Sequence, residues 1–255
     1  MNEEPTRPAA AERASDPAAS GQNDQAIVET AEPWAEQASY REGAVDLLGI
    51  LACGALAAFD RLAEDARLAP QLADRVHMTT MAALQVAHFE RVRAYLAVQG
   101  TDVMSAMAPF QAAFTAFHEY TRPKDWLEGL LKAYVGDEFA ADFYREVAAF
   151  VDADTRRLVH EVLADAGHAD FVVEKVRAAI KADPKVAGRL ALWGRRLVGE
   201  ALSQAQRVAA ERDSLTSLLT GTVDRPGLDL AAISLMFSRL IENHTRRMRT
   251  LGLQS

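Results

Sequence analysis

The chain has 255 residues, 49% of them apolar and 25% charged, with 28 Lys and Arg against 36 Asp and Glu and a formal net charge of -8. That length can bury one full core, and no stretch reads as the roughly 20 uncharged apolar residues of a membrane span, so a membrane partner is not expected. The acidic balance disfavours nucleic acid, because phosphate binding needs Lys and Arg to displace counterions.

The acid is concentrated at the start. Residues 1 to 40 hold Glu3, Glu4, Glu12, Asp16, Asp24, Glu29, Glu32 and Glu36 against Arg7 and Arg13, which is -6 of the total -8 and leaves -2 for the rest. Large apolar residues there are few (Ile27, Val28, Trp34), too few to offset the entropy of ordering. The chain therefore divides into a disordered acidic tail over 1 to 40 and a helical domain over 41 to 255. The N-terminus lacks the basic-then-apolar order of a secretory signal, and the single Cys53 has no partner for an internal disulfide. A cytoplasmic protein is expected.

From Tyr40 onward Gly and Pro fall at intervals, and between them apolar residues recur at three and four, the spacing of amphipathic helices. The breakers place helices at about 42 to 67, 71 to 98, 102 to 118, 124 to 150, 154 to 181, 185 to 220 and 228 to 251. Pro70 and Pro184 stand at or before helix starts, Gly100 follows a helix, and Asp154 or Asp183 can cap the helix after it. The expected fold class is all-α: a four-helix bundle of the ferritin-like type with additional helices.

Polar residues on apolar faces mark a possible centre. On the first helix Leu48, Leu51, Ala52, Ala55, Phe59 and Leu62 form one stripe. On the second, Gln85 and His88 share a face with Met78, Met81, Ala82 and Val92, and on the fifth Asp165 and His168 stand with Leu158 and Val172. Two polar residues three before a histidine match the paired Glu-x-x-His ligands of di-iron bundles in part, since a Gln amide is neutral and bridges iron poorly. Depth along the helices favours Asp137 as the third-helix carboxylate with Asp142 in reserve, because residues five apart cannot both face the axis. The plain alternative is a buried hydrogen-bonded network of Gln85, His88 and Asp165. Cys53 reads as a small buried hydrophobe, and Trp126, Trp193, Tyr134, Phe139, Phe143 and Tyr144 as core. Arg195, Arg196, Arg207, Arg246, Arg247 and Arg249 could form a phosphate-binding face, and Glu200 and Gln204 could support the centre or lie at the surface.

The stretches VDLLGILACGALAAFDRLAEDA, MAALQVAHFERV, DWLEGLLKAYVGDEFAADFYREVAAF, VLADAGHADF, RLALWGRRLVGEALSQAQRVA and HTRRMRTLGL carry a resemblance over about residues 42 to 252. The chain resembles the actinobacterial branch of ferritin-like tRNA hydroxylases, which are similar to the MiaE enzymes acting on a methylthio-isopentenyl-adenosine of tRNA. The resemblance implies an iron-dependent hydroxylase whose ligands fall at His88, Asp137, Asp165 and His168. It also implies that two carboxylates are missing, at Ala55 and Gln85. The cofactor expected is then no metal or a single metal ion, with di-iron if the family activity is retained. A tRNA partner and a homodimer stay open.

Deleting residues 1 to 38 is expected to leave the melting temperature nearly unchanged, because that segment offers no periodic apolar face to dock. A loss of several degrees would show that it packs on the bundle.

Overall fold

Helix α1 (Ala38–Asp65) sets the frame. Leu47, Leu48, Leu51, Ala52, Ala55 and Leu62 follow three- and four-residue spacing and are all buried, as an amphipathic core helix requires. Together with the 3-10 turn Ala66–Leu68 it is long and apolar enough to cross a membrane by length and composition, although it carries charged residues such as Asp46 and Arg61. Most of its apolar window is buried against other helices, so the excess serves a core contacted from several sides. The computed structural model describes residues 37 to 164, 168 to 221, 225 and 227 to 254. The expected tail lies outside them except at its end, where α1 begins at Ala38 and Tyr40 is buried.

Helix α2 (Leu72–Val98) folds back along α1 and ends at Gly100, whose φ of 73° suits a residue without a Cβ. The short α3 (Val103–Met107) and α4 (Gln111–Tyr120) then cross α1. Gly49 permits the crossing: a Cβ there would come within 2.2 Å of the Ala106 carbonyl oxygen. The third rod is α5 (Trp126–Leu131), a π-helical segment Lys132–Gly136 and α6 (Asp137–Ala148). The fourth is α7 (Ala153–Val162) and α8 (His168–Ala182). Helices α9 (Lys185–Glu211), α10 (Asp213–Thr220) and α11 (Leu230–Thr250) pack around the four rods. Every regular helix or strand among the described residues is helical, as expected for an all-α bundle with additional helices.

Two expected helices are each split, and in both places an arginine side chain explains the break. The helix expected over 154 to 181 stops at Leu163, whose carbonyl accepts from Arg145 Nη2 at 2.8 Å instead of continuing the ladder. The helix expected over 185 to 220 breaks at Arg212, whose guanidinium reaches back to both oxygens of Asp46 at 3.0 and 2.7 Å. Asp152 rather than Asp154 caps α7, accepting from Thr155 N at 2.9 Å. Asp183 accepts from Lys185 N at 3.0 Å.

The buried apolar residues form two clusters. One gathers Leu47, Leu48, Phe110, Val147, Val159 and Leu218, and the other Leu62, Met78, Leu131, Val176, Leu190 and Leu197. Phe143 packs against both. At the end of the first cluster the Tyr40 hydroxyl donates to Asp152 Oδ2 and accepts from the Asp152 amide at 2.7 Å, joining the start of α1 to the start of α7.

Tyr40→Phe removes that buried link and leaves the Asp152 amide without its partner, so a loss of about 1.5 to 3 kcal/mol is expected in urea unfolding. No measurable change would show that water replaces the hydroxyl at no cost.

Candidate functional site

A cavity of about 310 Å³ opens where the two core clusters meet. Helix α1 gives it Leu51, Ala55 and Ala58, and α2 gives it Met81, Gln85 and His88. Asp137, Phe143 and Tyr144 face it from α6, His168 and Val172 from α8, and Gln204 from α9. The residues singled out in the sequence thus converge, with two exceptions. Asp165 lies outside the described residues, and with it the expected network of Gln85, His88 and Asp165. Asp142 does not line the cavity: it is buried and holds Arg247 Nη2 at 2.6 Å, Asn243 Nδ2 at 3.1 Å and Arg145 Nη1 at 3.1 Å.

Asp137 is already paired. Arg61 Nη2 donates to its Oδ2 at 2.6 Å, and the Arg61 side chain is only 6% exposed. The 41% of the Asp137 side chain that water could touch is cavity wall, because the residue itself lies deep in the protein. Burial pushes the Asp137 carboxyl up, and the Arg61 guanidinium opposes the shift. Arg61 Nε and Nη1 have no partner among the described residues.

Around this pair sit further buried charges. Lys132 is 2% exposed, donates from Nζ to the Thr121 carbonyl at 2.8 Å and lies 5.3 Å from the centre of the Phe117 ring. Burial, reinforced by Arg61, pushes its ammonium down to about 7, while Asp137 and Asp65 pull the other way. Asp65 is buried with Oδ2 unpartnered among the described residues, and burial raises its carboxyl. Burial, with Lys132 and Arg61 close by, pushes His118 down to about 3, which leaves it a neutral imidazole.

On the far wall His88 is buried, and burial, Arg91 and His168 all lower its pKa. His168 Nδ1 lies 3.4 Å from His77 Nε2, and the His77 ring stacks on Phe171 at 3.9 Å. Cys53 is buried against the Met107 carbonyl at 3.4 Å, and burial pushes its thiol up to about 11, so it packs as a small apolar group. Of the six aromatic residues expected as core, Phe139, Tyr144 and Trp193 are buried in it and Trp126, Tyr134 and Phe143 pack against it, and Tyr134, Phe139, Phe143 and Tyr144 also line the cavity. Trp193 is core, with Nε1 donating to the Glu128 carbonyl at 3.0 Å. Gln204 is buried at the cavity and donates to Glu200 Oε1 at 2.7 Å. Arg196 and Arg247 are bonded within the chain, to the Tyr120 carbonyl at 2.5 Å and to Asp142.

Two iron ions bring four positive charges and need anionic, bridging oxygens. Among the described residues Ala55 has no donor, Gln85 is neutral, Asp137 is engaged by Arg61, and no group of three His, Cys, Asp or Glu could hold a metal ion. These residues do not fit a di-iron centre. Sequence reasoning passed over Arg61, Asp65, His118, Lys132 and the π segment. Arg61 and Asp65 stand at i, i+4, which reads as a solvated pair, although 58, 62 and 65 continue the buried face of α1.

Lys132 should leave a signature in the pH dependence of stability. Its folded pKa lies below the 10.5 of a free lysine, at about 7. Between those values the unfolded chain binds the extra proton, so the Lys132 contribution makes stability rise with pH across that window. Lys132→Met is expected to flatten the rise in urea unfolding followed from neutral to alkaline pH. An unchanged slope would mean that Lys132 stays charged throughout.

A family model described as "Ferritin-like domain, actinomycetes" matches residues 38–222. Among solved structures the chain is similar to "Protein 19 with aldehyde deformylating oxidase activity from Synechococcus", at 21% identity and a TM-score of 0.64 over 86% of this chain and 93% of that one. No curated protein matches. The matched span runs from the first residue of α1 to just past α10, taking in all four rods and the cavity between them, and the chain therefore belongs to the ferritin-like domain family of actinomycetes.

Proposed function

We propose that this chain is a binding protein rather than an oxygen-activating enzyme: a ferritin-like bundle in which an internal ion pair stands where a di-iron centre would be, and whose cavity holds an apolar small molecule. The observation that carries this reading is the Arg61–Asp137 contact at 2.6 Å, which engages the Asp137 carboxylate in the wall of a cavity of about 310 Å³. That volume is in the range of small-molecule sites, and its wall of Leu, Ala, Met and aromatic side chains suits an apolar guest. The resemblance to MiaE-type tRNA hydroxylases is, on this reading, one of bundle and not of substrate. A tRNA would have to be met by arginines, and Arg196 and Arg247 already serve bonds within the chain. The lone buried Cys53 suits a reducing compartment such as the cytoplasm.

A second reading, an iron-dependent hydroxylase using the remaining ligands, is favoured by His88, Asp137 and His168 lining one cavity. Anaerobic titration of the full chain with ferrous ion separates the two. The expected result is no tightly held iron and no metal-dependent rise in melting temperature, together with saturable binding of an apolar fluorescent probe. More than one iron retained per chain would overturn the binding-protein reading. Ala55→Glu with Gln85→Glu is expected to stay metal-free while Arg61 holds Asp137. Adding Arg61→Met should release that carboxylate and give a stabilisation of about 2.7 kcal/mol at a hundredfold excess of manganous ion over its dissociation constant.

A further inference from the structure

Helix α2 buries one face and leaves a second, nearly uncharged face in the open. Met78, Met81, Ala82, Val92 and Leu96 are buried on the side that packs along α1. On the other side Val76, Thr79, Thr80, Ala83, Val86 and Ala87 are exposed, and at about 100° per residue they all fall within about 60° either side of Ala83. Val76 is 58% exposed, and Leu72, at 77%, continues the same line one turn earlier. From Val76 to Phe89 the sequence holds no Asp, Glu, Lys or Arg in fourteen residues. A helix face turned to water normally carries such residues, and α9 does, with Arg189, Arg195, Arg196 and Arg207 exposed.

Unlike charges bound the run: Arg75 precedes it and Glu90 follows it, both exposed. A second copy of the chain turned end for end about the middle of the run lays Arg75 of each chain against Glu90 of the other, so the match is made twice. A parallel pair would instead set Arg75 on Arg75 and Glu90 on Glu90. Arg93 donates from Nε to Glu90 Oε2 at 2.8 Å, which leaves Oε1 for the incoming guanidinium. Arg91, the next residue after Glu90, turns about 100° away. At the centre Ala83 meets its own copy, and its small side chain lets the two helices approach closely. A lipid surface or a nucleic acid would call for lysines and arginines along this face, and the run has none.

We propose that this face of α2 is where two copies of the chain pair, antiparallel about a twofold axis, with the uncharged runs in contact and an Arg75–Glu90 bridge at each end. The apolar contact supplies the affinity and the two bridges fix the direction, because exposed ion pairs add little affinity of their own.

Sedimentation of the full chain across the micromolar range tests the pairing. The expected result is a monomer–dimer equilibrium. Ala83→Glu sets two carboxylates face to face at the axis and should weaken the dimer at least about tenfold; since Ala83 is exposed, the variant should melt as the parent does. Arg75→Glu and Glu90→Arg, each alone, bring like charges together at both ends and should each weaken the dimer about tenfold. An equimolar mixture of those two variants restores unlike charges at both ends and should recover the parental affinity. A chain that stays monomeric throughout, a dimer indifferent to Ala83→Glu, or two charge variants that associate no better mixed than alone would overturn the proposal. It would equally be overturned by another occupant of the face: phosphatidylserine vesicles that bind the parent but not Ala83→Glu, or residues 1 to 36, if the chain dimerises only after their deletion.

Discussion

A carboxylate buried in a helical bundle has to be matched by positive charge, and in this protein Arg61 supplies it from within the chain. Much of the centre follows from that. With Asp137 neutralised on one oxygen, most of the cavity wall can be apolar, and small residues such as Ala55 and Ala58 leave room where longer side chains would close the space. Breaking the pair by removing one partner would strand a buried charge, whereas a metal would have to displace the guanidinium before it could bind. The pair thus both holds the core together and occupies the carboxylate that a metal would need.

The outline of the fold was legible because it depends on periodicity. Breakers at Gly100, Pro70 and Pro184 and three- and four-residue apolar spacing define the long helices, and these are local properties of the chain. What was not legible depends on contacts distant in sequence. The ends of α7 and α9 are set by Arg145 and Arg212 reaching to partners far along the chain, and nothing near Leu163 or in the run of α9 announces them.

The site divides in the same way. Ala55, Gln85, His88, Asp137 and His168 could be placed around one centre because helical phase and depth fix where they point. Arg61 could not, since an arginine four residues before an aspartate looks like an ordinary surface pair until Asp137 comes to meet it. Tyr134, Phe139, Phe143 and Tyr144 sit at core spacing and pack in or against the core, and spacing alone does not tell that they also border a cavity.

The π segment Lys132–Gly136 alters which spacings count as neighbours. In regular α-helix, residues five apart point to different sides, which is why Asp142 turns toward Arg247 while Asp137 faces the cavity. Across i to i+5 bonding that rule is suspended, and residues five apart stack one above the other. Lys132 and Asp137 are such a pair, and both come within the influence of Arg61. A single extra residue's worth of winding therefore places a lysine and an aspartate on one side of the rod. Removing it would swing one of them into the neighbouring apolar packing, so the local irregularity and the buried charge cluster are one feature.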